Sequence, residues 1–269
     1  MSQRLHVPMV GGKPLRTDRS AAPEAPLFLA FSEGRTVKTL LGITAFLLLA
    51  GTLSVLAESM PKFLGRDLFT GLFNLNDESN VPATFTALIL LAAALILGVI
   101  AWAKRQSRSE EALAWKALTI IFGYLALDEA AQLHERLTSI IRKTTEVTGI
   151  LHHAWVIPYG ILALIVALSF LRFLTHLPSK IRWRVVLAGA IYVFGALGFE
   201  MIEGVIVTTL SEDSLLNRLT IVVEEGMEML GVTLFIGALL SYISSYLPHL
   251  KLHLGVGSGP ATGQQGGSD

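Results

Sequence analysis

No cysteine occurs among the 269 residues. That excludes disulfides, thiolate metal ligands and cysteine nucleophiles, and says little about compartment. Charge is also scarce: only 16 % of the residues are Asp, Glu, Lys or Arg, against 52 % hydrophobic. There is no Walker loop, no dinucleotide-binding glycine fingerprint and no His-Glu-x-x-His pair. No Gly-x-Ser-x-Gly elbow is present. Basic residues are not interleaved with aromatics, so nucleic acid is not an expected partner. The first 36 residues are polar and carry prolines but no apolar core segment. A cleavable signal peptide is therefore not expected, and the first apolar span would act as its own insertion signal.

What is present is apolar sequence of membrane-spanning length, with a mean hydropathy of +0.59. Six spans are expected, at 37–57, 82–103, 113–139, 154–174, 183–207 and 218–246. Helices are the form that lets a span satisfy its own backbone. The expected fold is an all-α, multi-pass membrane helix bundle. Residues 1–36 read as a polar tail, 37–248 as the transmembrane domain and 249–269 as a flexible Gly/Ser-rich tail. Between the first two spans, Phe63, Leu64, Leu68, Phe69, Leu72 and Phe73 recur at near-helical spacing. They read either as a short amphipathic helix on the membrane surface or as a packed loop.

With the N-terminus inside, 15 of the 21 Lys and Arg residues fall on the cytoplasmic side. The bias places both termini on the cytoplasmic side of the membrane. The acids run the other way, with 15 of 21 on the outer side or in the outer half of a span.

The third span carries "GYLALDEAAQLHERL", with Asp128, Glu129, His134 and Glu135 at its outer end. His152 and His153 precede the fourth span, "GFEMIEG" puts Glu200 and Glu203 in the fifth, and "IVVEEGMEMLG" puts Glu224, Glu225 and Glu228 in the sixth. At ~1.5 Å per residue these groups reach a common depth. A carboxylate at that depth costs at least ~2.5 kcal/mol even on lenient scales, so intramembrane acids are functional candidates by default. In an unbroken third helix Tyr124, Asp128, Gln132 and Glu135 share a face, and His134 points about 120° away from Asp128. Pro158 would kink the fourth span. Glycines 195, 198, 204, 226 and 231 would let the helices approach closely.

Two Glu-x-x-Glu pairs and the Asp-Glu/His-Glu segment, on three helices, supply ligands of the kind found in carboxylate-rich metal sites of helix bundles. Asp128, Glu129, His134, Glu200, Glu203, Glu225 and Glu228 are the expected ligands to a divalent iron, zinc or manganese ion. Glu129 and Glu135 are the expected catalytic groups. Glu78, Tyr124, Gln132, His152, His153 and Glu224 are further candidates.

"FNLNDESNVPATFTALILL" together with the Asp128 segment resembles a family of bacterial multi-pass membrane proteins known mostly as uncharacterised. The resemblance rests on Glu78, Asn80 and Pro82, then on Asp128, Glu129, His134 and Glu135, and covers roughly residues 70–140. An aromatic expected near Thr84 is missing. The resemblance implies no activity. The same segments are more loosely similar to membrane-embedded ceramidase-like hydrolases, which use a histidine-rich zinc site and usually seven spans.

The leading expectation is a membrane-embedded, metal-dependent enzyme acting on a lipid-like substrate from the extracytoplasmic side. The rivals are a cation- or proton-coupled transporter and a non-catalytic subunit of a membrane complex.

Overall fold

Asn80 starts the helix that anchors the bundle. Its Oδ1 accepts a hydrogen bond from the Ala83 amide at 2.9 Å, and Pro82 sits in the first turn, where its missing N–H costs nothing. The computed structural model describes residues 32–77, 79–143 and 147–247, and all regular structure in them is helical. In chain order the elements are α1 (Glu33–Glu58), α2 (Arg66–Phe73), α3 (Val81–Gln106), α4 (Ala112–Ala131), α5 (Leu133–Ile141), α6 (Val156–His176), α7 (Ser179–Val193), α8 (Glu200–Thr209) and α9 (Leu215–Tyr246). A π-helical turn, Phe194–Phe199, joins α7 to α8 without a break. Residues 1–31 of the expected tail at 1–36, the whole of the expected tail at 249–269, and Glu78 lie outside the described residues.

Among the described residues, five stretches are long and apolar enough to cross a membrane: α1, α3, α6, α7 through α8, and α9. α4 has 20 residues, but any 18-residue stretch of it holds all three of its charges, Lys116, Asp128 and Glu129, whereas each of the five offers a stretch of that length with two or fewer. α9 is the central post. Some 61 % of its most apolar segment is buried, against 6 % for α6, which stands at the periphery. Leu47 of α1, Leu90 and Leu97 of α3, and Met229, Ile236 and Leu239 of α9 form the dry core. Trp115 packs on Phe173 and Tyr242, and Phe122 stacks on Phe235 at 4.5 Å between ring centres. Ion pairs tie both ends. Glu33 meets Arg184 and Lys104 meets Glu111 at one end; Glu58 meets Arg218 at the other.

The short segment after α1 is a helix rather than a loop: α2 buries none of its residues and leaves Leu68 and Leu72 exposed. Pro158 does not kink a span. It is the third residue of α6, in the first turn, where no intrahelical bond is lost.

The expected third span, 113–139, is not one helix. It stops at Ala131. Gln132 takes a left-handed conformation, φ 55° and ψ 45°, and α5 starts in a new direction at Leu133. The Gln132 amide still bonds the Asp128 carbonyl, and its side chain donates to Ser79 Oγ at 3.1 Å. Left-handed backbone suits glycine and penalises β-branched residues. Gln132→Gly is therefore expected to hold the thermal unfolding midpoint of the detergent-solubilised protein. Gln132→Val is expected to lower stability by about 1–3 kcal/mol.

Candidate metal centre

The reversal at Gln132 brings the Asp-Glu/His-Glu segment together. His134 donates its backbone N–H to Asp128 Oδ1 at 3.1 Å, and its ring Nδ1 lies 3.2 Å from Asp128 Oδ2. The divergence expected of an unbroken helix is corrected: the chain folds back by one left-handed residue, and the two side chains meet. Tyr159 of α6 donates its hydroxyl to Asp128 Oδ1 at 2.7 Å. That leaves Tyr124 of α4 as the donor in the 2.7 Å contact between the two phenols. With a proton on His134 Nδ1, as this network assigns, the ring's lone pair falls on Nε2. Asp128 thus orients a histidine, a role carboxylates commonly play beside metal sites.

The second half of the site depends on a close backbone approach. Gly149 has φ 62° and opens a single 3₁₀ turn, Gly149–Leu151. A Cβ on Gly204 of α8 would sit 2.4 Å from the Gly149 carbonyl oxygen and 3.0 Å from His152 Cβ. Only glycine lets this turn lie on α8, and so delivers His153 to Glu200. His153 Nδ1 and Glu200 Oε2 are 3.1 Å apart, yet that oxygen receives no hydrogen bond. His153 Nε2 is buried without a partner as well. Trp155 holds the other Glu200 oxygen, donating its Nε1–H to Oε1 at 3.1 Å, while its backbone N–H reaches Thr138 Oγ1 of α5. Burial holds the His153 ring down to about 4, and His152 and Arg142 push the same way. The ring is therefore neutral at pH 7, the form that ligates metals.

Glu135, His153 and Glu200 each offer one ligand atom, and the three atoms lie within 4.8 Å of one another. Ligands at ~2.0–2.2 Å from a common ion stand about 3.3–3.6 Å apart in a tetrahedral site, so the widest of these separations would close by about an ångström on binding. The orphaned buried atoms and the mixed carboxylate–imidazole set both fit a divalent cation, and fit iron, manganese or zinc alike.

These groups line the polar end of a cavity of about 710 Å³. The cavity collects Asp128, Glu129, His134, Glu135, Glu200, Glu203, Glu225 and Glu228, as well as Tyr124, His153 and Glu224. Asp128, Glu200, Glu203 and Glu224 are buried. Two helix features bring the acids of α8 and α9 together. The π turn precedes Glu200, and a Cβ on Gly195 would meet Met227 Cβ at 3.1 Å. Such turns are frequent at functional sites. Gly231 lets α9 pack on Tyr192 in the same way.

Two candidates fall elsewhere. Gln132 does not line the cavity, because its left-handed backbone turns it to Ser79. His152 does not line it either; its ring packs edge-on against His153 at 5.1 Å. Trp155, Tyr159 and Tyr192 line the cavity but were not singled out by the sequence reading. The only signal for the first two was an aromatic pair at i, i+4 directly after the double histidine.

No curated protein matches the chain, and no solved structure matches it. The similarity to ceramidase-like hydrolases gains no support from these comparisons. One family does match, a domain of unknown function, DUF8692, over residues 40–243. Since that match spans most of the sequence, the chain belongs to the DUF8692 family.

Proposed function

We propose that this protein is a membrane-embedded, metal-dependent enzyme acting on a lipid or other hydrophobic substrate. The observation that carries the reading is the convergence of Glu135, His153 and Glu200 at the acidic end of a cavity whose other limb is apolar. Those three residues would hold a divalent cation. Zinc there would activate water for hydrolysis, and iron would support oxidation of a lipid. Glu129, on the cavity wall, would take or return the proton. His134, oriented by Asp128, would carry a proton or complete the ligand set.

In this reading α4 completes six spans. Residues 37–248 form the membrane domain of a bacterial inner-membrane protein, with both termini cytoplasmic and the site in the extracytoplasmic half. The excess of basic residues on the opposite side supports that orientation. A cation pathway would need polar groups through the full thickness. The inner limb instead presents Leu118, Ile121, Val166 and Val185, which favours an enzyme over a transporter. Acids facing inward to a cavity likewise favour an enzyme over a subunit that docks partners through them.

The test is elemental analysis of the full-length protein purified in detergent without chelator. About one divalent ion per chain is expected, removable by chelation; protein that stays folded but neither retains nor rebinds iron, zinc or manganese overturns the reading. Trp155→Phe keeps the ring and removes the donor to Glu200. It is expected to weaken metal binding about 10–100-fold, as loss of an outer partner does, with the unfolding midpoint of the chelated protein little changed.

A further inference from the structure

The cavity has two chemically opposite limbs. Toward the acid end it is lined by eight carboxylic acids and, among the described residues, by no lysine or arginine. Glu203, which lines this limb, is only 5 % exposed, and its buried Oε1 has no hydrogen-bond partner. Where these acids ionise, no basic side chain in the lining offsets their charge. An anionic head, phosphate or sulfate, is repelled there, whereas a cation is drawn in. The same limb carries an aromatic wall: the Trp155 and Tyr159 rings stand edge to face at 5.1 Å, and Tyr124 lies beside Tyr159. Aromatic faces of this kind attract alkylammonium groups.

The other limb is built of apolar side chains, Phe122 and Phe235 among aliphatic ones, and of Gly189, where an added Cβ would meet nothing within 4 Å. From Asp128 to Leu118 it extends about 15 Å along α4 at the helical rise. Ile120 of α4 and Leu162 of α6 line the cavity and are exposed, which puts its opening on this side. The cavity is thus reached sideways, from between α4 and α6, where the Tyr124–Tyr159 hydrogen bond links the two helices. Its total volume of about 710 Å³ is that of a small-ligand site, which favours one chain over two.

We propose that the cavity takes a cationic amphiphile, an amine-headed lipid with a single apolar chain. The ammonium sits among the carboxylates against Trp155 and Tyr159, and the chain runs along the inner limb past Gly189. This names a substrate class for the reading above and rests on it only for the cavity being the reacting site.

The probe is dodecylamine, compared with dodecanol and dodecyl sulfate, on full-length, metal-stripped protein in lipid nanodiscs. Alkylamines are protonated at pH 7, as a lysine is. Dodecylamine is expected to bind once per chain, about tenfold or more tighter than dodecanol, and the sulfate more weakly than either. Glu203→Gln should weaken the amine several-fold and leave the alcohol unchanged. Gly189→Leu fills the inner limb and should weaken amine and alcohol together, which a defect at the acid end would not do. Equal binding of amine and sulfate overturns the proposal, as does amine binding indifferent to both variants. Metal content is measured separately. Protein that holds metal but shows no amine preference overturns this inference and leaves the metal centre standing. An amine preference in protein that binds no metal supports the amphiphile site and overturns the metal centre.

Discussion

Glu200→Gln is expected to remove the bound metal while leaving the protein folded. Glutamine has the same shape, so its amide oxygen can still accept the Trp155 Nε1–H bond that holds the side chain in place. What changes is the oxygen facing His153, where an amide group replaces a charged ligand. Outer partners of a metal site account for about 10–100-fold in affinity, and a direct charged ligand should exceed the upper end of that range. The metal-free protein should respond in the opposite sense. Glu200 is buried near other acids, and removing one charge from a crowded, desolvated cluster relieves repulsion. The expected result is a large loss of metal per chain, with the unfolding midpoint in chelator unchanged or raised. Metal content equal to that of the unaltered protein would remove Glu200 from the ligand set, and with it the centre as drawn.

Gly204→Val is expected to be the most damaging single substitution outside the acids. The new Cβ would lie 2.4 Å from the Gly149 carbonyl oxygen, and backbone cannot swing aside as a side-chain tip does. α8 and the turn carrying His152 and His153 must separate. Overpacking of this kind costs about 1–3 kcal/mol, occasionally more. Because the turn delivers His153, metal retention should fall along with the unfolding midpoint. The control is Gly160→Ala on α6, where an added Cβ meets nothing within 4 Å. In a helix interior that change is worth up to about 1 kcal/mol in the stabilising direction. If Gly204→Val behaved like the control, the close approach would not be what positions His153.

The helical class was legible because its signal is local. A run such as 82–103 is apolar residue by residue, and the observed α3 differs from it by three residues or fewer at each end. Glu200, Glu203, Glu225 and Glu228 were legible as one group because helical rise and alternating span direction set depth without any knowledge of packing. The cavity brings those four together. His134 was legible as a candidate, but its position was not. Counting 100° per residue assumes a continuous helix, and a single left-handed residue at Gln132 cancels the count. Nothing in "AAQLHE" announces that residue, since glutamine carries no preference for the conformation.

By itself, then, the amino-acid order determined that the chain is a helical bundle with apolar spans and that most of its acids, with His134, His152 and His153, gather toward one end. Those properties follow from hydropathy and from fixed rise per residue, which neighbours do not alter. The tertiary structure alone decided which of those groups meet: Asp128 behind His134, His153 rather than His152 beside Glu200, and Trp155 and Tyr159 as the donors that hold the two acids. Such pairings depend on contacts between segments far apart in sequence, above all the turn that Gly204 admits against α8. A distance between two helices is a property of their packing, and no spacing within either one encodes it.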